Sequence, residues 1–178
     1  MNQEIKTERL ILKPIDECDV AFIYQEFTND FINQYLYDFE PMKSMDEAKA
    51  LIDFYINTKN YHNHRYILML HDGKKIGTLG YHNYNPDLKT IDIGYDLKEK
   101  FNGFGFMIEA LNALVGNMIK KIDISYIQAV IYKDNLKSIK LVEKLGFLPS
   151  GIKYETFRGQ SYEHIIYQLK IINQQMRI

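Results

Sequence analysis

IDIGYDLKEKFNGFGFMIEAL, residues 91–111, decides how the rest of the chain is read. Ile91, Ile93, Tyr95 and Leu97 alternate with Asp92, Asp96 and Lys98, the period of a half-buried strand. A polar break at 98–102 is followed by Gly103 and Gly105. Met107, Leu111, Leu114, Val115 and Met118 then recur at helical spacing, which predicts a helix from Gly103 to Lys121. Strand, glycine turn and helix start together make an anion site. The first N–H groups of a helix have no internal partner, the helix dipole favours negative charge there, and glycine lets a phosphate reach the main chain. A glycine pair also precedes many helices for steric reasons alone. There is no GxxxxGK[ST] and no third glycine, so neither a Walker-type loop nor a dinucleotide fingerprint is supported.

Working outward, RLILKPI (9–15) reads as a first strand closed by Pro14, and Asp16 caps a helix to about Phe27. Residues 29–42 are irregular and aromatic. Ser44, with Glu47 three positions on, opens a second helix to about Asn60. Tyr66–Leu70 and Lys75–Tyr84 form a hairpin across Asp72-Gly73, and Asn85-Pro86-Asp87 turns into the strand of the quoted stretch. Ser125–Tyr132 is a further strand, and Asn135 caps a short helix that Gly146 ends. Phe147–Phe157 and Tyr162–Ile172 pair around Arg158-Gly159-Gln160. This β-α-α-β-β-β-α-β-α-β-β order describes an α+β domain spanning residues 1–178.

Its 178 residues suit one domain with a substantial core. Twenty-two basic and 23 acidic residues leave a net charge of −1, so neither nucleic acid nor an anionic membrane is an expected partner. No apolar run reaches a membrane span and the start lacks a signal-peptide core, so the cytoplasm is the expected location. The single cysteine, Cys18, reads as a small buried residue and excludes a disulfide framework or a cysteine zinc cluster. His62 and His64 carry no ligand spacing and read as surface or structural, with a small allowance for His82 or His164 near a pocket; no metal is expected. Oligomeric state is open, a homodimer included.

Two motifs at their separation carry a resemblance. Lys100-Phe101-Asn102-Gly103-Phe104-Gly105, followed by Asn135-Leu136-Lys137-Ser138 and Glu143-Lys144-Leu145-Gly146-Phe147, resembles the GNAT N-acetyltransferases. TERLILKPI at 7–15 and the Asn-x-x-Ser spacing are most similar to the RimJ/RimL branch, which acetylates ribosomal-protein N-termini; related members take spermidine, other amines or aminoglycosides. The likeness runs from about Thr7 to Lys170. It implies a GNAT-like mixed, mostly antiparallel central sheet flanked by helices, with acetyl-CoA as cosubstrate and a primary amine as acceptor. A non-catalytic, CoA-binding regulatory protein on the same scaffold is the alternative.

The resemblance also implies residue roles. Lys100, Phe101, Asn102, Gly103, Phe104, Gly105 and Phe106 would hold the diphosphate. The strand end at Tyr95 and Leu97 would splay from the strand at 125–131, admit the pantetheine arm and point an N–H at the thioester carbonyl; the same two residues also read as plain core. Asn135 is a helix cap that also reaches CoA, and Ser138, one turn on, is the candidate hydroxyl for the leaving thiolate. Lys100 replaces the usual Arg or Gln, and Val142 stands where many members carry a proton-donating Tyr. Glu155 and Asp92 are the candidate bases, unless the amine arrives neutral. Tyr37, Asp38 and Glu40 lie where the family builds its acceptor site.

Overall fold

The computed structural model describes residues 3–37, 40–57 and 63–172. Eight strands form one sheet: β1 (Ile5–Lys6), β2 (Leu10–Pro14), β3 (His64–Leu70), β4 (Lys75–Asn85), β5 (Thr90–Leu97), β6 (Tyr126–Tyr132), β7 (Leu148–Phe157) and β8 (Gln160–Lys170). Their spatial order is β1-β2-β3-β4-β5-β6-β8-β7. Among the described residues five α-helices accompany them: α1 (Val20–Phe27), α2 (Asp30–Asn33), α3 (Met45–Asn57), α4 (Phe106–Met118) and α5 (Leu136–Lys144). Every neighbouring pair is antiparallel except β5 and β6. A parallel pair cannot be closed by a tight turn, so the chain crosses over between them through α4.

Alternation along the strands sends side chains to two cores. Tyr66 and Leu68 of β3 join Ile91, Ile93 and Leu97 of β5 on one face, while Ile67 between them joins the other. On the first face α4 buries Met107, Ala110, Leu111, Leu114 and Met118, four of them in the predicted stripe. Each large aliphatic side chain so buried contributes roughly 1.5–3 kcal/mol. The opposite face is covered by α1 and α3, whose Phe22, Ile23, Phe27, Ala48 and Ile52 close on Ile15 and Ile67. Two helix layers thus hold the middle of the sheet fixed on both sides.

The departures from the sequence reading are local. The long helix begins at Phe106, not Gly103, because Gly103 and Gly105 both have left-handed backbones (φ +86° and +79°) that no helix continues. A short 3-10 turn, Glu99–Phe101, precedes them. The aromatic stretch contains α2, whose Phe31 and Ile32 N–H groups donate to the Asn29 side chain (3.0 and 3.3 Å). Cys18 is exposed, not buried, since it lies in a 3-10 turn before α1. His64 is structural: burial lowers it to about 4 and keeps the ring neutral against Tyr66. His62 lies outside the described residues.

Candidate active site

β5 and β6 start as a parallel ladder, with Thr90, Ile91 and Asp92 opposite Tyr126, Ile127 and Gln128. There the ladder ends, although β5 runs on to Leu97 and β6 to Tyr132. Main-chain polar groups inside a sheet ordinarily pair, so two edges that part in mid-sheet leave a place for an extended group to dock. A cleft of about 360 Å³ opens at this gap. Asp92–Leu97 and Ala129–Tyr132 form its walls, and Asn135, Ser138 and Leu141 come in from the α5 side.

At one end lies the glycine loop. Glu109 N–H is the first in α4 with a recorded backbone acceptor, Gly105 O at 3.1 Å, and the Gly105 cap supplies no side-chain acceptor. The N–H groups of 106–108 are therefore the orphan donors of the helix start. A Cβ at Gly103 would have nothing within 4 Å, and one at Gly105 would meet only an Arg9 nitrogen at 3.5 Å. At the two glycines the loop surface is bare main chain. Asn102 is a brace, its amide donating to Lys98 O (3.3 Å) and Glu99 O (3.0 Å). Lys100 Nζ sits 5.4 Å from the centre of the Phe101 ring, and Phe104 is exposed at the tip.

Across the gap two hydroxyls meet. Tyr95 of β5 and Ser138 of α5 are 2.6 Å apart, Oη to Oγ. Burial, partly offset by the Ser138 hydrogen bond, pushes the phenol up to about 12, so it keeps its proton at neutral pH. Asn135 caps α5, its Oδ1 accepting from Ser138 N–H at 3.2 Å. Val142 is fully buried one turn below. Leu97 belongs to the core and also lines the cleft.

Both candidate carboxylates line the cleft. Glu155 pairs with Lys153 (2.5 Å), and Asp92 accepts from Asn83 Nδ2 (3.1 Å). His82, directly opposite Asp92 on β4, and His164 of β8 line it too. Tyr35 and Tyr132 form part of the wall, and Tyr37 lies behind them, stacked on Tyr162 at 3.9 Å and edge-on to Tyr132 at 4.6 Å. Glu40 does not reach the cleft; both its oxygens accept from Arg158, Oε1 from Nε at 3.0 Å and Oε2 from Nη2 at 2.5 Å. Asp38 lies outside the described residues.

A third acid in the lining, Asp96, has a buried neighbour. Asp96 accepts from both the N–H (2.9 Å) and the hydroxyl of Thr78, with Arg65 Nη1 at 3.6 Å. Glu26 of α1 is 1% exposed, with Lys98 Nζ at 3.7 Å from Oε2 and no hydrogen-bond partner for Oε1 among the described residues. Burial first, and the Asp96 charge second, push Glu26 from its usual 4.5 up to about 8. The folded protein thus holds a proton at neutral pH that the unfolded chain releases. Stability is full below the unfolded value, declines as pH rises toward 8, and levels off above it. Glu26→Gln keeps the shape of the protonated acid and removes that decline. Urea unfolding at about pH 9 should find the variant roughly 1–3 kcal/mol more stable than the native chain, with the two equal near pH 4.5. Parallel curves for the two proteins contradict this.

Sequence reasoning missed Arg9, Tyr35, Tyr132 and the hydroxyl pairing of Tyr95. Arg9 donates to Glu109 and to Phe104 O, partners about 100 residues away, and no local pattern announces them. Tyr132 had one signal: it ends the strand that faces the gap.

A family profile described as an acetyltransferase (GNAT) domain matches residues 9–148. The uncharacterized N-acetyltransferase YoaA of Bacillus subtilis (strain 168) is 30% identical over 169 residues, 93% of this chain and 95% of its own. Among solved structures, the ribosomal L7/L12 alpha-N-protein acetyltransferase RimL, in complex with coenzyme A, matches with a TM-score of 0.85 at 24% identity, covering 95% of this chain and 98% of its own. A spermidine N-acetyltransferase from Vibrio cholerae, in complex with CoA and spermine, matches with a TM-score of 0.80 at 20% identity, covering 92% and 96%. At those identities the solved structures establish the fold, and the profile establishes the family. With its parted strands and its bare glycine loop, the chain belongs to the GNAT acetyltransferases, N-acetyltransferases that move an acetyl group from acetyl-CoA to an amine.

Proposed function

We propose that the chain, as one domain, binds acetyl-CoA along the β5/β6 gap and acetylates a primary amine brought to the cleft between Tyr35, Tyr132 and Glu155. One observation carries this reading: the free strand edges, the Tyr95–Ser138 hydroxyls and, beside the glycine loop, Asn102 and Met107 line one cleft. The residues present fit the cosubstrate, since the glycine loop offers open space and unpaired donors where a diphosphate must lie. Acetyl-CoA supplies the activated acyl group. The chain supplies position, a dipole and proton management.

The N–H groups of 106–108 and the Lys100 ammonium face the diphosphate, and the freed edge of β5 at 93–97 points a main-chain N–H at the thioester carbonyl. Such a donor strengthens as charge develops on the oxygen, which lowers the barrier and not merely the ground state. Asn135 fixes the start of α5 and with it the Ser138 hydroxyl, which donates to the departing sulfur. Tyr95, a phenol that retains its proton, orients Ser138 and replenishes its hydrogen bond. This hydroxyl pair meets the need left by Val142, the departure that favoured a non-catalytic reading. Glu155 and Asp92 hold the incoming ammonium and accept its proton through water.

Tyr37 shapes the acceptor wall by stacking on Tyr162, and Glu40 acts beside it by tying its loop to Arg158. The RimL protein and the spermidine acetyltransferase that this chain resembles point to protein N-termini and polyamines as the first acceptors to try. Thiol release from acetyl-CoA, measured over a panel of N-terminal peptides, polyamines and small amines, tests the reading. Amine-dependent thiol release is the expected result. Tight acetyl-CoA binding with no turnover on any amine contradicts the catalytic assignment.

A further inference from the structure

The glycine loop is held from behind by a residue outside it. Arg9, just before β2, donates from Nη1 to Phe104 O (2.9 Å) and from Nε to Glu109 Oε2 (2.6 Å), and its own main-chain N–H donates to Glu109 Oε1 (2.8 Å). Thr7 adds a hydroxyl donation to that same oxygen at 2.5 Å while its Oγ1 accepts from Leu10 N–H at 2.9 Å. The guanidinium lies over the Phe106 ring, 4.7 Å from its centre. One cation thus touches the loop tip, the first helical residue and the only acid in the first turn of α4.

Two physical consequences follow from this arrangement. A trans peptide holds the carbonyl of one residue and the N–H of the next on opposite sides of its plane. Fixing Phe104 O toward Arg9 therefore fixes the Gly105 N–H toward the opposite, open side of the loop, where the diphosphate lies in the proposed reading. Gly105 at one end of this plane lets it flip more readily than a peptide between two substituted residues, so it gains from being held. The second consequence is electrostatic. Glu109 places a negative charge one turn from the anion site, and the Arg9 ion pair cancels it.

We infer that Arg9 is a positioning residue for acetyl-CoA: with Thr7 and Glu109 it clamps the Phe104–Gly105 peptide in the orientation that receives the diphosphate. The inference rests on the proposed acetyl-CoA reading and adds to it a residue 96 positions before the loop's second glycine. Arg9 sits on the rim with its side chain 43% exposed, so its removal leaves the cores intact.

The test is acetyl-CoA titration calorimetry and steady-state kinetics on the full chain, for wild type, Arg9→Ala and Arg9→Lys. Arg9→Ala should weaken acetyl-CoA binding and raise its KM by about ten- to hundredfold, the loss of charge-assisted hydrogen bonds, with kcat and the amine KM changed less than about threefold. Arg9→Lys keeps the charge but replaces the planar fork, whose separate nitrogens reach Phe104 O and Glu109, with a single nitrogen, so its affinity should fall between the other two. Equal affinity in wild type and Arg9→Ala overturns the inference. So does full recovery in Arg9→Lys, which reduces the clamp to a bare charge, and so does a loss that falls equally on kcat and on the amine KM. A wild-type chain that binds no acetyl-CoA defeats the functional reading itself, a result distinct from all of these.

Discussion

Replacing Gly105 with glutamate abolishes acetyl-CoA binding while the chain stays folded. Gly105 caps α4 with φ +79°, and the space where its Cβ would stand holds only an Arg9 nitrogen at 3.5 Å. A glutamate there pays a left-handed backbone cost of about 1–2 kcal/mol, which a domain of ordinary stability survives. Its carboxylate, built beside Arg9, competes for the guanidinium that holds Phe104 O and adds a negative charge at the helix start that repels a diphosphate. The expected loss is roughly a hundredfold or more in affinity, the sum of displaced hydrogen bonds and like-charge repulsion. Gly105→Ala is the companion variant, because it carries the backbone strain without the charge and should lose far less. Calorimetric titration of both, with circular dichroism to verify folding, separates the two effects. Unchanged affinity in Gly105→Glu would remove the loop from the binding site.

Ser138→Ala lowers kcat by roughly ten- to a hundredfold while the KM for acetyl-CoA moves by no more than about threefold. The split follows from when the hydroxyl acts. A departing thiolate carries charge only as the carbon–sulfur bond breaks, so a donor aimed at sulfur contributes in the transition state and little in the ground state. Tyr95→Phe should cost less than Ser138→Ala, because the serine hydroxyl survives and loses only its 2.6 Å partner. The double variant should resemble Ser138→Ala alone, the non-additivity of two groups that act as one. Strict additivity would mean that the two hydroxyls work independently and that their contact is only packing. Equal kinetics in Ser138→Ala and the native chain would exclude Ser138 from the chemistry.

What the sequence disclosed and what it hid divide by distance along the chain. Strand, glycines and helix in 91–111 were legible because period and turn chemistry are local, and so were the caps at Ser44 and Asn135. The start of the long helix was misplaced by three residues, since a glycine that opens a helix and one that delays it look alike until φ is seen. The cleft is tertiary: the β5/β6 ladder stops after Asp92, yet nothing in either strand's pattern marks the stop. The resemblance implied that splay; the residues alone did not. Tyr95 and Ser138 lie 43 positions apart, and alternation assigned Tyr95 only to one face of a strand. Tyr37 and Glu40 were placed near the acceptor by analogy; that the first stacks on Tyr162 and the second is held by Arg158, 118 positions on, no local pattern announces. Glu26 was unremarkable in a predicted amphipathic helix, and only the packing of α1 on the sheet reveals it as a buried acid beside Asp96.

A crystal structure of the chain with acetyl-CoA is the most direct test of the whole account. The diphosphate is expected against the N–H groups of 106–108 and the peptide held by Arg9, the pantetheine arm between β5 and β6 beyond Asp92, and the thioester sulfur within hydrogen-bonding reach of Ser138. A diphosphate bound elsewhere, with the gap between those strands closed by the protein's own side chains, would contradict it.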